Sequence, residues 1–274
     1  MPEGPEIWRA AHQISKAIQK KEVKEIFFAF DDLKMFEDEL KGTEVTRVEP
    51  RGKAILTSFS NGMTIYSQNQ LYGKWILARR GTTPDTNRSL RLAIHTTSHS
   101  ALLYSASDIE LLFSEKEIEG HKYIQKLGPD VVHPDTTFEE VLARYHDKTY
   151  QRRNISTLLL DPGFLSGVGN YLRSEILFCS YVHPDVTLSE CSDEQKQQLA
   201  EYSLLLSRRS YQTKGVTIDP ELEEALKEEG VKRSARRHYA YGRTGKPCYR
   251  CGHEIECIVK SGRKIYFCPN EQIR

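Results

Sequence analysis

The spacing of apolar residues changes character at one place in this chain, and that change limits the folds open to it. Up to about residue 125 the apolar side chains fall in short β-branched or aromatic runs. These are Val23 to Phe30, Glu44 to Glu49, Ala54 to Phe59, Thr64 to Ser67, Trp75 to Ala78, Leu90 to Thr96 and Ala101 to Tyr104. Asn61-Gly62 between two of them reads as a two-residue hairpin turn, and Leu90, Leu92 and Ile94 as one face of a strand. Ahead of the strands, Ile7, Ala11, Ile14 and Ile18 recur at helical spacing behind Pro5, which suits a first helical turn. Leu127-Gly128-Pro129-Asp130 and His133-Pro134-Asp135 then punctuate the chain, and helical patterns follow. Thr136 with Glu139 reads as a capping box before Phe138 to Tyr145, with further helices at Asn154 to Leu160, Tyr171 to Phe178, Ser192 to Ser207 and 219–229, the last ending at Gly230. From Tyr241 the punctuation is dense again and cysteines cluster. The pattern predicts an α+β multidomain chain. Residues 1–125 form an N-terminal β-sandwich with a leading helix, 126–240 a linker and helical domain, and 241–274 a finger-like β-hairpin.

Composition narrows the function classes. No apolar run approaches the ~20 residues of a membrane span, and the acidic start lacks an apolar signal region, so a cytoplasmic chain is expected. In a reducing compartment six cysteines point to metal ligation before disulfides. The net charge of +1 is uninformative until it is divided. Residues 231–264 hold ten basic residues against Glu254 and Glu256, a surplus of eight, which leaves residues 1–230 with a surplus of seven negative charges. A basic segment on an acidic body suits contact with a polyanion, although a charge run also forms ordinary solvated surface.

Four short constellations carry chemistry. If Met1 is removed, Pro2 becomes a secondary-amine nucleophile with the Glu3 carboxylate beside it. Its adduct with an aldehyde carbon is an iminium with no N–H proton to lose. Gly167-Val168-Gly169-Asn170 lies between helices; its glycines permit close backbone approach, and the following helix offers N–H groups to a phosphate. A plain interhelical turn uses the same residues. Cys248-x-x-Cys251 is half of a zinc ribbon; the second half is due roughly 15–20 residues later and begins at Cys268, but Glu271 stands at the fourth position. His253 and Cys257 are alternative ligands. Lys53 precedes a strand, where a lone lysine is by itself ordinary surface charge, and Asn69-Gln70-Leu71-Tyr72-Gly73 combines the amide, apolar and aromatic side chains used to wedge between bases, although a structural turn uses the same residues.

Taken in order, these motifs resemble the formamidopyrimidine-DNA glycosylase and endonuclease VIII family, most closely its bacterial endonuclease VIII branch. The likeness runs through Met1 to Glu6, Arg51-Gly52-Lys53, Tyr66 to Gly73, Tyr104 to Asp108, Gly128-Pro129-Asp130, Leu158 to Asp161, Gly167 to Arg173 and Tyr241 to Cys248. It implies that the helical domain is a helix–two-turn–helix DNA-binding domain and the C-terminal hairpin a zinc-ribbon-like finger. It also implies a bifunctional DNA glycosylase and AP lyase of base excision repair. Such an enzyme excises oxidised, mainly pyrimidine, bases through an N-terminal proline Schiff base and β,δ-elimination. Pro2 is then the nucleophile and Glu3 the acid/base; Lys53 and Arg263 complete the catalytic set, supported by Glu6, Asp161 and Arg173. Lys53, Asn170 and Arg263 match phosphate-holding positions, and Gln70, Leu71 and Tyr72 the loop that fills the gap.

The resemblance further implies one structural zinc, no catalytic cofactor, and double-stranded DNA with oxidised bases or abasic sites as partner. The protein is expected to be a monomer in the bacterial cytoplasm, associated with the nucleoid, and not bound to a membrane. The zinc ligands would be Cys248, Cys251 and Cys268 with Glu271, in place of the family's last cysteine, as a doubtful fourth, so weakened zinc affinity is expected. Two other readings compete: a formamidopyrimidine or 8-oxoguanine glycosylase, and a non-catalytic protein that binds damaged DNA.

Overall fold

A computed structural model of the chain describes residues 2–274. Removal of Met1 therefore lies outside the described residues. The chain forms two compact units: residue 2 with residues 6–126, and residues 3–5 with residues 127–274.

The first unit is a sandwich of two antiparallel sheets. β1 (Glu25–Phe28), β6 (Leu90–His95), β7 (His99–Tyr104) and β5 (Lys74–Arg79) form one sheet in the order β1-β6-β7-β5. β2 (Val45–Arg51), β3 (Ala54–Phe59), β4 (Thr64–Gln68) and β8 (Asp108–Leu112) form the other, in that order. α1 (Gly4–Ile18) sends Ile7, Ala11, Ile14 and Ile18 into the core between the sheets, among Phe28, Ile55, Ile65, Leu92, Ile94 and Leu103. Each large aliphatic side chain buried there contributes about 1.5–3 kcal/mol. Two short helices, α2 (Asp31–Lys34) and α3 (Glu37–Leu40), close one end, and α4 (Glu115–Gly120) follows β8.

Two local readings of this unit need correction. The hairpin at Asn61-Gly62 is a three-residue loop, since Phe59 and Met63 still pair and only Gly62 of the loop has positive φ (+88°). Leu90 does not share a face with Leu92 and Ile94. A register shift between Leu90 and Leu92 turns Leu90 onto the outer cluster with Ala93, Leu102 and Tyr104. β8 was not read from the sequence, although Asp108 to Leu112 alternates polar and apolar residues as a half-buried strand does.

The second unit holds α5 (Phe138–His146), α6 (Ile155–Leu158), α7 (Asn170–Cys179), α8 (Asp193–Gln212), α9 (Pro220–Glu228) and the hairpin β9 (Glu256–Lys260) and β10 (Arg263–Phe267). The capping box of α5 is Thr137 with Glu140, one residue later than read; Thr136 sits in the preceding turn, where its carbonyl takes the Arg208 guanidinium at 2.6 Å. Asn154 and Ser192 cap α6 and α8 with their side chains. α9 starts with Pro220 and stops at Gly230, whose φ is +77°. The β9–β10 turn, Ser261-Gly262, has φ of +50° and +72°, a type I′ hairpin. Among the described residues no helix is long and apolar enough to cross a membrane.

Candidate active site and DNA-contact residues

In the second unit the centre of the site is built around Glu3. Its carboxylate is buried and accepts the backbone N–H of Tyr171 at 2.7 Å and of Leu172 at 3.3 Å, so it caps the N-terminus of α7. A helix N-terminus carries partial positive charge and unpaired N–H groups, and a carboxylate satisfies both. The two glycines of the Gly167–Gly169 turn have separate reasons, close approach at Gly169 and positive φ at Gly167. A Cβ on Gly169 would lie 2.3 Å from Glu3 Cδ. Gly167 has φ +94°, and its carbonyl accepts the Gly4 N–H at 2.7 Å. The sequence reading offered these amides to a DNA phosphate; the structure gives two of them to the protein's own carboxylate.

Asn170 and Arg173, one helical turn apart on α7, lock this helix to β10. Arg173 is fully buried and donates to Asn170 Oδ1 (2.6 Å), Lys264 O (3.1 Å) and Ser156 O (3.2 Å). Asn170 Nδ2 donates to Lys264 O at 2.9 Å. Burial lowers the Arg173 pKa to about 10, with nearby Arg263 adding to the shift and Glu3 and Tyr241 opposing it. Arg263 itself is exposed, immediately after the hairpin turn, and is in no ion pair among the described residues. Asp161 pairs with Arg153 at 2.7 Å and accepts the Gly163 N–H, so it braces the α6–α7 connection. Glu175 was not singled out from sequence. It is fully buried and accepts from the Thr217 hydroxyl and the N–H groups of Tyr239, Ala240 and Tyr241, which fixes the segment entering the finger.

The finger brings together Cys248, Cys251 and Cys268, whose sulfurs all lie within 4.8 Å of one another. It is the one such ligand set among the described residues, and Glu271, His253 and Cys257 contribute no atom to it. Burial pushes the Cys268 thiol up to about 12, and the backbone N–H of Glu271 acts in the opposite direction. Three thiols crowded in this way, two of them buried, fit a thiophilic divalent cation that replaces their protons. Gln272, also fully buried, accepts the Cys268 N–H at 2.9 Å and donates to Val182 O at 2.8 Å, which pins the second knuckle to the helical core.

In the first unit, Glu6 receives the Arg9 guanidinium at 2.6 Å, and Pro2 is half-buried. Lys53 occupies the second position of the two-residue β2–β3 turn after Gly52, whose φ is +59°. Its backbone N–H donates to the Tyr123 hydroxyl at 2.8 Å. The segment after β4 forms a tight loop in which Leu71 is 58% and Tyr72 68% exposed.

Residues 1–107 match the formamidopyrimidine-DNA glycosylase N-terminal domain, 127–219 the formamidopyrimidine-DNA glycosylase H2TH domain, and 245–270 the zinc finger found in FPG and IleRS. The endonuclease 8 of Salmonella arizonae is 44% identical over 272 residues, covering 99% of this chain and 100% of that protein. The endonuclease 8 of Escherichia coli O17:K52:H18 is 43% identical with the same coverage. Among solved structures, Lactococcus lactis Fpg in complex with DNA containing N7-benzyl-Fapy-dG superposes with a TM-score of 0.82 at 20% identity over 100% of both chains. The same protein with oxidised-pyrimidine DNA gives 0.81 at 20% identity, again over 100% of both. The chain belongs to the formamidopyrimidine-DNA glycosylase family. Its full-length similarity is to the members named endonuclease 8, and its finger is of the zinc-binding type with three cysteines in place.

Proposed function

We propose that the protein is a bifunctional DNA glycosylase and AP lyase of base excision repair, with Pro2 as nucleophile and oxidised pyrimidines as main substrates. The observation that carries the reading is the capping of α7 by Glu3. A pure DNA-binding protein has no need of a buried carboxylate next to an N-terminal proline, held by two backbone amides over a glycine, Gly169, whose Cβ would collide with it.

The damaged nucleotide leaves the stack at a cost of about a few kcal/mol, less when its pairing is already weak. The Pro2 nitrogen pair attacks C1′, the N-glycosidic electrons leave with the base, and the base takes a proton. Opening of the sugar ring gives a Pro2 iminium. Glu3, adjacent in the chain and held by the Tyr171 and Leu172 amides, supplies the negative charge and the proton transfers at this centre. The iminium acidifies C2′–H; loss of that proton expels the 3′ phosphate, and a second elimination expels the 5′ phosphate. Water then releases Pro2. Lys53, Asn170 and Arg263 hold flanking phosphates, and Arg173 orients Asn170.

Zinc in this finger is structural. We propose that Cys248, Cys251 and Cys268 hold it and that a weaker non-cysteine ligand completes the set. Zinc bound there fixes the knuckles that carry the Arg263 hairpin. The place of action is the cytoplasm, with damaged double-stranded DNA as the partner.

The test is borohydride trapping on duplexes carrying thymine glycol, 8-oxoguanine or an abasic site. Covalent adducts are expected on all abasic duplexes and preferentially on thymine glycol over 8-oxoguanine. The reverse order would favour the formamidopyrimidine reading, and binding without adducts the non-catalytic one.

A further inference from the structure

We propose that the cavity over the outer face of β4 and β8 is a binding site for an organic cation, a primary alkylammonium of the kind that ends a polyamine or a lysine side chain. The site goes beyond the glycosylase reading and depends on no part of it.

Strand register builds its floor. Ile65, Ile109 and Leu111 face the main core, so the residues between them face outward. On that outer side Tyr66 stands opposite Glu110, and Gln68 opposite Asp108. The segment leaving α4 supplies the wall. His121 stacks on the Tyr66 ring with centroids 4.3 Å apart, and Tyr123 meets the same ring edge-on at 6.1 Å. Tyr123 is held there in turn, because its hydroxyl accepts the Lys53 N–H. Floor and wall enclose a cavity of 510 Å³, within the ~300–1,000 Å³ usual for small-molecule sites.

The polar groups in this cavity lack partners of their own. Tyr66 is only 1% exposed and lines the cavity, yet its hydroxyl makes no hydrogen bond among the described residues. A hydroxyl buried in that way is costly unless something in the cavity meets it. Glu110 has His121 Nε2 at 3.4 Å, while His121 Nδ1 accepts the Tyr123 N–H. Asp108 is in no ion pair among the described residues, and Lys122, exposed at the rim, pairs with neither carboxylate. Burial and the nearby Glu110 raise the Asp108 pKa, as expected of negative charge without a counterion.

Two carboxylates among three aromatic rings define the ligand. The carboxylates accept N–H groups and repel anions, and the ring faces attract positive charge. A bare metal ion fits less well. Among the described residues only the finger cysteines bring three ligand atoms within 4.8 Å of one another, and Asp108, Glu110 and His121 do not. An alkylammonium needs no such convergence, since its hydrocarbon stem lies along the rings while its head reaches a carboxylate.

The experiment titrates the full chain at low salt with spermidine, n-butylammonium and the peptide acetyl-Gly-Lys-Gly-amide. Heat of binding and the NMR signals of the tyrosine rings are followed together. Saturable binding of all three is expected, with the Tyr66 and Tyr123 rings shifting in step with the heat. Asp108→Asn/Glu110→Gln should weaken binding about tenfold or more, the worth of a hydrogen bond to a charged group. Tyr66→Phe, which keeps the ring, should weaken it about fivefold and carries the test if the double variant does not fold. Tighter binding of spermidine than of the peptide assigns the site to a polyamine, and the reverse order to a lysine of a partner protein. Absence of saturable binding would overturn the proposal and leave the cavity as hydrated space. So would binding that the double variant or Tyr66→Phe retains in full.

Discussion

The Glu3 carboxylate accepts the Tyr171 N–H at 2.7 Å across a sequence separation of 168 residues, so the start of the chain caps the helix that follows the Gly167–Gly169 turn. Gly169→Ala should displace it, because the new Cβ would stand 2.3 Å from Glu3 Cδ. Overpacking of this kind costs about 1–3 kcal/mol. The measurement is thermal unfolding beside base excision, and both should fall. Glu3→Gln keeps an acceptor for the helix but loses the charge. It should suppress base excision while leaving some cleavage of pre-formed abasic sites.

Arg263 is expected to act as a phosphate contact. Each neutralised phosphate contributes about −0.9 to the slope of log affinity against log salt on duplex DNA. Arg263→Ala should weaken binding across sequences and flatten that slope by about one contact. Binding isotherms at several salt concentrations decide it; unchanged affinity and slope would make the basic segment a solvated face.

The finger should be the least robust part of the protein, because only three thiols converge there. Glu271→Cys restores a second Cys-x-x-Cys and should raise zinc retention after dialysis against a mild chelator. It should also protect residues 241–274 from proteolysis. Stoichiometric, chelator-resistant zinc in the unsubstituted protein would contradict this expectation.

Asp108 gives a pH signature. Burial first, and Glu110 second, raise its pKa above the ordinary 3.8, while Gln70 and His121 oppose the shift. A carboxyl raised in the folded state contributes stability below its unfolded pKa and loses that contribution as pH rises through the folded value. Asp108→Asn removes the ionisation. The Tm of the variant relative to wild type should therefore become more favourable between about pH 4 and pH 7. A difference that does not change with pH would show that ionised Asp108 carries no penalty.

Local pattern was legible wherever one face is buried. The Ile7, Ala11, Ile14 and Ile18 stripe of α1 read directly, since its apolar period maps onto burial, and β3, buried on both faces, read as a short continuous apolar run. Errors arose where two registers satisfy the same rule. Both Thr136 with Glu139 and Thr137 with Glu140 meet the capping-box spacing, and a tertiary bond to Thr136 O decides between them. Long-range pairings had no sequence signal. Neither the destination of the Glu3 carboxylate, nor the four donors around Glu175, nor the grip of Ser107 on Gln70 follows from spacing, because each joins distant segments. The cysteines lie between these cases: spacing found three ligands, and the structure brings them together without Glu271.

Whether the N-terminal proline is the covalent nucleophile is decided by peptide mapping of the borohydride-trapped adduct on an abasic duplex. A DNA remnant is expected on Pro2 of the processed chain. An adduct mapped to Lys53, or an active enzyme that yields no adduct, would contradict it.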